Sequence, residues 1–310
     1  MSKKQKVLAE EKYSVPAYLG NGLMSRSFDV FNLALLVFIA LTCVLPIWYT
    51  LCVSLSQKSY AAAGLVTLWP RGFNFSAYIR IMEEANFWRS CLTSLIRVCL
   101  GTSVSIVVVI LMSYPLSKTK KEIPGRDVIM WVLIFCMLFN GGIIPWFQTM
   151  KMLHLNNNIW GLVLGNGLPM FHVILMMNFF RNLPKELEEA AAVDGAGPWY
   201  TLVKIVVPIS KPVIATIVLF TAVYHWNEFF NGLVLINKTE DYPLQTYIQQ
   251  MVVTMNTAVM SEEQYKALSE MSNQTLNAAK LFIASIPVMI VYPFLQKYFI
   301  SGITLGSVKE

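Results

Sequence analysis

The sequence predicts an all-α integral membrane protein in which six transmembrane helices form one bundle. Hydrophobic residues make up 55% of the 310-residue chain and charged residues only 14%, with a mean hydropathy of +0.54. Soluble domains usually contain about 25% charged residues. The chain also contains six apolar runs close to the roughly 20 residues that a helix needs to cross a hydrocarbon core. Together the composition and the runs predict a multi-pass membrane protein.

The apolar runs set the order of the predicted elements. The first run follows an N-terminal arm, residues 1–27, and a cleaved signal peptide is the alternative interpretation. Its 28 residues are too many for the apolar core of a signal peptide, so a membrane span is favoured. An outside loop follows this first span, and the span and the loop together make up residues 28–89. Five closely connected spans then form a core from 90 to 300, before a tail at 301–310. The six predicted spans are 28–55, 90–115, 127–150, 158–180, 213–236 and 278–298.

The distribution of basic residues predicts the orientation of these spans. Fifteen of the 24 Lys and Arg residues lie in segments that share a side with the N-terminus, and eight lie in the opposite loops. Cytoplasmic loops are enriched in Lys and Arg. The sequence therefore predicts a multi-pass membrane protein with both termini in the cytoplasm.

The net charge of +6 does not indicate a nucleic-acid partner. The positive-inside pattern and anionic membrane lipid account for the basic surplus. The five cysteines lie in or beside spans and have no Cys-x-x-Cys spacing, and His154 and His172 lack a partner at metal-ligand spacing. The sequence therefore predicts no metal site.

One polar stretch stands out between two apolar runs: KELEEAAAVDGAGPWYTLVKIVVPISKP, at residues 185–212. Pro184 and three glutamates are typical of a first helical turn, because carboxylates stabilise the positive end of the helix dipole. Gly195 predicts a left-handed helix end, and a second short helix follows over 199–206. The loop 182–212 is therefore predicted to form two cytoplasmic helices separated by glycine.

Two roles for this loop follow from the residues alone. A loop at a membrane surface often forms an interfacial helix that faces lipid. Such helices usually carry Lys and Arg, whereas this first helix is acidic and has an alanine face. Small alanines permit close approach, and carboxylates can pair with basic groups of a partner protein. A protein docking surface is favoured, with a lipid-facing helix as the alternative.

The spacing of Glu189, Ala190, Ala191, Gly195, Ile205 and Pro208 resembles the EAA motif in permease subunits of bacterial ABC importers. The similarity extends through DGAG at 194–197, although Val207 replaces the usual leucine before the proline. The stretches NGGIIPWF (140–147), HWNEFFNGL (225–233), YPLQ (242–245) and KYFISGITLGSVK (297–309) resemble carbohydrate-uptake permeases of the YtcP/LplC kind.

This resemblance implies a type I ABC importer permease with a MetI-like six-helix bundle, in which the loop is the coupling helix. The implied partners are a second, different permease, two ATP-binding subunits, an extracytoplasmic solute-binding lipoprotein and a carbohydrate substrate. No cofactor is expected on this chain, since it lacks a G-x-x-x-x-G-K-[ST] phosphate loop and ATP with Mg would act on the partner ATPase. The residues assigned to coupling are Glu188, Glu189, Ala190, Ala191, Asp194, Gly195, Ala196, Gly197, Ile205 and Pro208.

The fifth span contains a polar stretch that is a candidate for the substrate path. Helical spacing predicts that Tyr224, Glu228 and Asn231 share a face, with Asn227 beside them. An intramembrane carboxylate usually faces a cavity or a partner, and Tyr224 or Trp226 would supply an aromatic wall for a sugar. The alternatives are a structural contact between two permeases and an interfacial position.

Arg97 and the GNGLP sequence at 165–169 are the other unusual features inside the spans. The side chain of Arg97 is expected to extend to the outer boundary of the membrane that the helix crosses. A contact with the substrate or with a gate is the alternative. GNGLP predicts a kinked helix, or else a moving hinge.

The sequence leaves four functions to compare. A carbohydrate ABC importer permease is favoured over an importer of a non-sugar solute, an ion-coupled secondary transporter and a membrane-embedded enzyme. A secondary transporter would need no docking loop and usually shows related halves, which the sequence lacks. No catalytic motif is present, so an enzyme is not predicted.

Overall fold

The computed structural model describes residues 23–254 and 274–307, with side chains described for 27–250 and 274–293. All regular elements in these ranges are helices, so the all-α prediction is confirmed there. Most of the predicted N-terminal arm and the end of the tail lie outside the described residues. The helices are α1 Leu23–Ser54, α2 Lys58–Ala62, α3 Ser76–Glu83, α4 Ala85–Ser117, α5 Arg126–Leu138, α6 Ile143–Met152, α7 Ile159–Leu164, α8 Met170–Arg181, α9 Glu186–Val193, α10 Pro198–Ile209, α11 Lys211–Asn227, α12 Phe230–Leu235, α13 Leu244–Thr254 and α14 Gln274–Ser307, with a 3-10 turn at Thr239–Asp241.

Within the described ranges, three helices are long and apolar enough to cross a membrane as single pieces. They include residues Ser27–Ser54 of α1, the whole of α4, and Gln274–Pro293 of α14. These helices confirm the first, second and sixth predicted spans. α14 begins four residues before the predicted start of its span, since the helix already includes Gln274.

The other three predicted spans are interrupted by breaks in the helix. α5 and α6 form a pair bent by 115° around residues 139–142, where Gly142 has a φ of 85°. α7 and α8 are separated by residues 165–169, so the predicted kink is a complete break in the helix. α11 ends at Asn227, and α12 begins only at Phe230.

The bundle is assembled around α4. α4 packs against α8 and α11, α11 packs against α14, and α14 packs against α1. Apolar side chains of α4, α8 and α11 form the largest buried cluster, which includes Val109, Val173 and Ile217. Inside it, Ser113 donates a hydrogen bond to the carbonyl oxygen of Val173 at 2.9 Å. Because lipid is as apolar as leucine, tight packing and such polar contacts hold the helices together.

Glycines allow the broken segments to approach one another closely. A Cβ atom added to Gly161 in α7 would overlap the carbonyl oxygen of Leu155, and one added to Gly101 in α4 would overlap the ring of His225. Since backbone atoms cannot move aside as a flexible side chain can, Gly161 is the more constrained of the two.

Gly161→Ala should therefore lower the thermal stability of the purified protein in detergent. Overpacking typically costs about 1–3 kcal/mol, which exceeds the gain of up to about 1 kcal/mol in helix propensity. The matched control is Gly141→Ala, whose added Cβ would lie 3.8 Å from its nearest neighbour, Phe139. Equal melting temperatures for the two variants would contradict this account of the packing.

Candidate coupling surface and translocation path

The two predicted surface helices are present as α9 and α10. α9 has Glu186, Glu188 and Glu189 in its first turn, as its dipole favours. It ends in a Schellman arrangement, with the Ala196 amide donating to the Ala191 carbonyl at 2.9 Å. Gly195 has a φ of +78°, which side chains with a Cβ rarely adopt. The glycine therefore sets the angle between the two helices.

Contacts to α4 fix α9 at the end of the bundle. Ala191 is buried, and Glu188 pairs with Lys118, whose ammonium lies 4.3 Å from the centroid of the Tyr114 ring. The Leu116 carbonyl, at the end of α4, accepts hydrogen bonds from the guanidinium groups of Arg126 and Arg181. Glu188 therefore also helps to hold α9 against the end of α4.

The opposite side of this helix pair is open. Val193 is 88% exposed and Trp199 is 70% exposed, and Glu189 and Asp194 are exposed beside them. We call the exposed side of residues 186–200 the coupling surface. It combines carboxylates with large apolar side chains, which is typical of a surface that binds another protein. Of the other residues assigned to coupling, Ala190, Gly197 and Pro208 are exposed, whereas Ala196 and Ile205 are half-buried.

α10 connects the coupling surface to the membrane helix α11. Residues Thr201–Val206 form a π-helical segment, and α10 meets α11 at an angle of 80°. Ser210 is fully buried at this corner, and Thr201 and Val206 are also buried. A displacement of the surface would therefore act on α11 through a packed corner.

α11 ends inside the bundle at an unusual break. Glu228 has an extended ψ of 120°, and one of its carboxylate oxygens accepts a hydrogen bond at 2.8 Å from the Asn231 amide in the first turn of α12. Glu228 therefore ends one helix and caps the next. The predicted shared helical face of Tyr224, Glu228 and Asn231 is wrong, because the chain is not helical between the last two.

Arg97 neutralises this carboxylate. The Arg97 side chain is fully buried and forms an ion pair with Glu228. It also donates to the Glu228 carbonyl at 2.7 Å and to the Leu162 carbonyl of α7 at 3.1 Å. The expectation that Arg97 extends to the membrane boundary is wrong. Its guanidinium instead joins α4 to two interrupted segments.

The break between α7 and α8 and the break between α11 and α12 lie beside this ion pair, and α6 contacts the first of them. Trp146 of α6 donates to the carbonyl oxygen of Gly165, at the end of α7, at 2.5 Å. Asn231 is buried next to Gly165. A Cβ atom added to Gly165 would lie 2.8 Å from the side-chain amide nitrogen of Asn231. Non-helical backbone at membrane depth is tolerated where it is buried in protein or lines a cavity. The interrupted spans thus form one connected region.

The candidate path residues are divided between the two sides of this region. Tyr224 is 47% exposed and Asn227 is exposed, and Phe229 and Phe230 add aromatic surface. Trp226 points elsewhere: its indole is half-buried and donates to the Ala284 carbonyl of α14 at 3.1 Å. The side chains behind this exposed surface are those of Arg97, Glu228 and Asn231. Their contacts with one another hold the break in position.

A second ionic cluster was missed by the sequence analysis. Lys280 is 2% exposed in α14 and pairs with Glu84 at 2.5 Å, and Tyr247 of α13 also donates to Glu84. Burial of the ring, followed by the contact with Glu84, raises the pKa of Tyr247. The signal was present, since Lys280 lies inside an apolar helix and intramembrane charges are usually paired.

These features define the class of protein: long apolar helices and interrupted neighbours joined by a buried ion pair are the architecture of a multi-pass membrane protein. The chain belongs to the family of binding-protein-dependent transport system inner membrane components, which residues 75–305 match. The resemblance inferred from the EAA spacing is thereby confirmed at the level of the family.

Individual relatives match nearly the whole chain. The polygalacturonan/rhamnogalacturonan transport system permease protein YtcP of Bacillus subtilis is 36% identical over 287 residues, covering 93% of this chain and 100% of the relative. Protein LplC of the same organism is 36% identical over 290 residues, covering 93% and 97%. A crystal structure of a bacterial ABC transporter involved in the import of alginate contains a chain with 36% identity and a TM-score of 0.80, covering 90% of this chain and 99% of that one.

Proposed function

We propose that this chain is the permease subunit of an ATP-driven importer of oligosaccharides. One observation carries the proposal: a nearly full-length relative at 36% identity is named for transport of polygalacturonan and rhamnogalacturonan, and a chain of equal identity belongs to an importer of alginate. All three are polysaccharides. The aromatic rings exposed near the helix breaks suit the apolar faces of sugar rings.

ATP hydrolysis is assigned to partner subunits. The sequence lacks a G-x-x-x-x-G-K-[ST] phosphate loop, and the coupling surface is open to another protein. The proposed assembly contains this permease, a second and different permease, two ATP-binding subunits and an extracytoplasmic solute-binding lipoprotein. The coupling surface, the N-terminus and the C-terminus then lie in the cytoplasm, in agreement with the positive-inside distribution.

Coupling is proposed to run along α11. Movement of an ATP-binding subunit would displace the coupling surface, and Gly195 would set the direction of that displacement. The packed corner at Ser210 would pass it to α11, whose 17 residues span about 25 Å. The far end of α11 is the break at Glu228, so displacement would reach the exposed aromatic side chains directly.

The proposed path in this subunit is lined by Tyr224, Asn227, Phe229 and Phe230. Aromatic side chains would contact sugar ring faces, and the Asn227 amide would bond to hydroxyl groups through both its donor and its acceptor. The Arg97–Glu228 pair lies behind this lining and holds it in position. A second permease would supply the opposite wall.

Reconstitution tests the proposal. The chain would be assembled in liposomes with its partner permease, ATP-binding subunits and binding protein, and uptake of labelled oligogalacturonate, oligoalginate and raffinose measured. Uptake of at least one of these sugars should require both ATP and the binding protein. A matched assembly in which the phosphate-loop lysine of the ATP-binding subunits is replaced should show no uptake.

Other outcomes identify the competing functions. Uptake driven by an ion gradient without ATP would overturn the ABC assignment in favour of a secondary transporter. ATP-dependent uptake of a non-sugar solute, with no uptake of any oligosaccharide, would leave the coupling mechanism intact but overturn the carbohydrate substrate.

A further inference from the structure

We propose that Thr246 of α13 is a positioning residue for the translocation path, and that contacts of α13 with α4 and α14 hold Thr246 in place. The proposal rests on the proposed function in one respect, since Thr246 binds the backbone of Phe229, a residue of the proposed path lining. The contacts that carry it form within this chain, so they do not depend on a partner subunit.

Thr246 binds the chain at the end of the break between α11 and α12. It is fully buried, and its hydroxyl donates a hydrogen bond to the carbonyl oxygen of Phe229 at 2.7 Å. The same carbonyl accepts from the Leu233 amide at 3.1 Å, because Phe229 is the N-cap residue of α12. The hydroxyl therefore fixes the residue from which α12 starts, and with it the direction in which the exposed Phe229 ring leaves the backbone.

Gly232 shows how closely α13 approaches α12. A Cβ atom added to Gly232 would overlap the hydroxyl oxygen of Thr246 and would lie 2.9 Å from Cδ of Pro243. Any larger residue at position 232 would therefore push α12 and α13 apart. The absence of a side chain there leaves the room that the Thr246 hydroxyl needs to reach the Phe229 carbonyl.

α13 lies between this break and the outer part of the bundle. Leu244 and Ile248 are one helical turn apart, and both are buried in a cluster with Phe87 of α4 and Ala279 of α14. Thr246 lies about 160° around the helix axis from each of them. It is therefore on the opposite side of α13, where α12 packs. A shift of α13 would move Thr246 relative to the break.

Polar contacts also fix the outer side of α13. The Leu244 amide at the start of the helix donates to the buried Ser94 hydroxyl of α4 at 2.8 Å. Tyr247 donates to Glu84, the residue before α4, and the ammonium of Lys280 in α14 lies 3.3 Å from the Tyr247 hydroxyl oxygen. We call Glu84, Tyr247 and Lys280 the Glu84 cluster. It holds α13 at the residue next to Thr246.

An ion pair makes the Glu84 cluster resistant to displacement. Lys280 is 2% exposed, so moving its ammonium away from the Glu84 carboxylate would separate an ion pair of which one member is withdrawn from water. Such a separation is costly. The break is thus held from two directions, by the Arg97–Glu228 pair on the side of α4 and by Thr246 on the side of α13.

Cysteine labelling at position 229 tests the proposal in the complete importer. After replacement of the five native cysteines, Phe229→Cys would be combined with Thr246→Val, which keeps the branched shape but removes the hydroxyl. A water-soluble methanethiosulfonate should then modify the introduced cysteine about fivefold faster, the factor expected from the loss of one hydrogen bond. With Thr246→Ser, which keeps the hydroxyl, the rate should stay nearly unchanged.

Tyr224→Cys is the matched control. Tyr224 is exposed in the same proposed path but lies within α11, before the break. Labelling at position 224 should not respond to Thr246→Val. Equal rates at position 229 in the threonine, valine and serine forms would overturn the positioning role. A rise at both positions would show general loosening of the bundle and would overturn it as well.

Tyr247→Phe tests whether the Glu84 cluster acts through Thr246. It removes the hydroxyl that contacts Glu84 and Lys280 but keeps the ring, which meets that of Phe87 edge to face with centroids 6.5 Å apart. Tyr247→Phe alone should raise labelling at position 229. Combined with Thr246→Val it should add nothing, because residues that act as one unit are not additive. Independent, additive effects would overturn this part of the proposal.

The labelling rates require no transported solute, so they are separate from the test of the proposed function. In the reconstituted importer, Thr246→Val should also reduce ATP-driven uptake, and Thr246→Ser should retain it. A labelling change with unaltered uptake would overturn the link between Thr246 and the path. Absence of ATP-driven uptake in the unsubstituted importer would overturn the proposed function, while the labelling series would still decide whether Thr246 positions Phe229.

Discussion

Arg97→Met should destabilise the protein severely and abolish transport. The substitution leaves Glu228, whose side chain is only 10% exposed, without its cationic partner. It also removes the donor to the Leu162 carbonyl and therefore the link between α4 and α7. Removing one member of a buried ion pair typically costs about 3–5 kcal/mol. The expected measurements are a marked drop in detergent melting temperature and at least a tenfold loss of ATP-driven uptake.

A double variant separates stability from function. Replacing both members, as Arg97→Met with Glu228→Met, removes the charge imbalance, and paired apolar replacement of a buried ion pair is often neutral or stabilising. We therefore expect the melting temperature to recover substantially. Transport should remain lost, because no carboxylate then caps α12 at Asn231 and the break is no longer fixed.

Arg97→Lys is the conservative control for this series. It keeps the positive charge but loses the planar guanidinium that reaches three oxygens. It should be intermediate in stability and in uptake. If Arg97→Met were as stable as the unsubstituted protein, or if the double variant transported normally, the role given to the ion pair would be wrong.

The extent to which the sequence predicts this structure depends on how local each signal is. The turn at Gly195 was predicted because its causes lie within a few residues: acids at the helix start, alanines in its middle and a glycine at its end. The break near Gly167 had a local signal in GNGLP, which predicted a kink, whereas hydropathy averaged over a span conceals the break near Gly142. Glu228 had no neighbouring glycine or proline, so HWNEFFN reads as continuous helix.

Long-range pairing explains the remaining errors. Arg97 and Glu228 are 131 positions apart, and nothing near either residue identifies the other. Without its partner, Arg97 is most simply interpreted as extending to the membrane boundary. Trp226 shows the same limit, since its contact with Ala284 depends on where α14 packs. Lys280 could have been flagged from its apolar surroundings, but Glu84 could not have been assigned to it.

Gly195→Asp should abolish ATP-driven transport while leaving the protein in the membrane at nearly its normal level. The added Cβ would meet nothing within 4 Å, so no steric clash with the bundle arises. Aspartate, like asparagine, tolerates the φ of +78° better than most side chains, so the expected effect comes from its carboxylate, which adds negative charge at the C-terminal end of α9. The coupling surface would change its charge without loss of the membrane core. The measurements are uptake in liposomes and the amount of permease in the membrane.

Three further variants isolate the cause. Gly195→Asn has nearly the same shape as aspartate, carries no charge and tolerates the left-handed conformation, so it should retain most transport. Gly195→Val tests the backbone, because a β-branched residue is a severe outlier at this φ, and it should fail as Gly195→Asp does. Gly197→Ala is the positional control, since Gly197 has a φ of −74° and open space around it. Normal uptake by both the Asp and Val variants would show that the angle set at Gly195 does not couple ATP hydrolysis to the membrane helices.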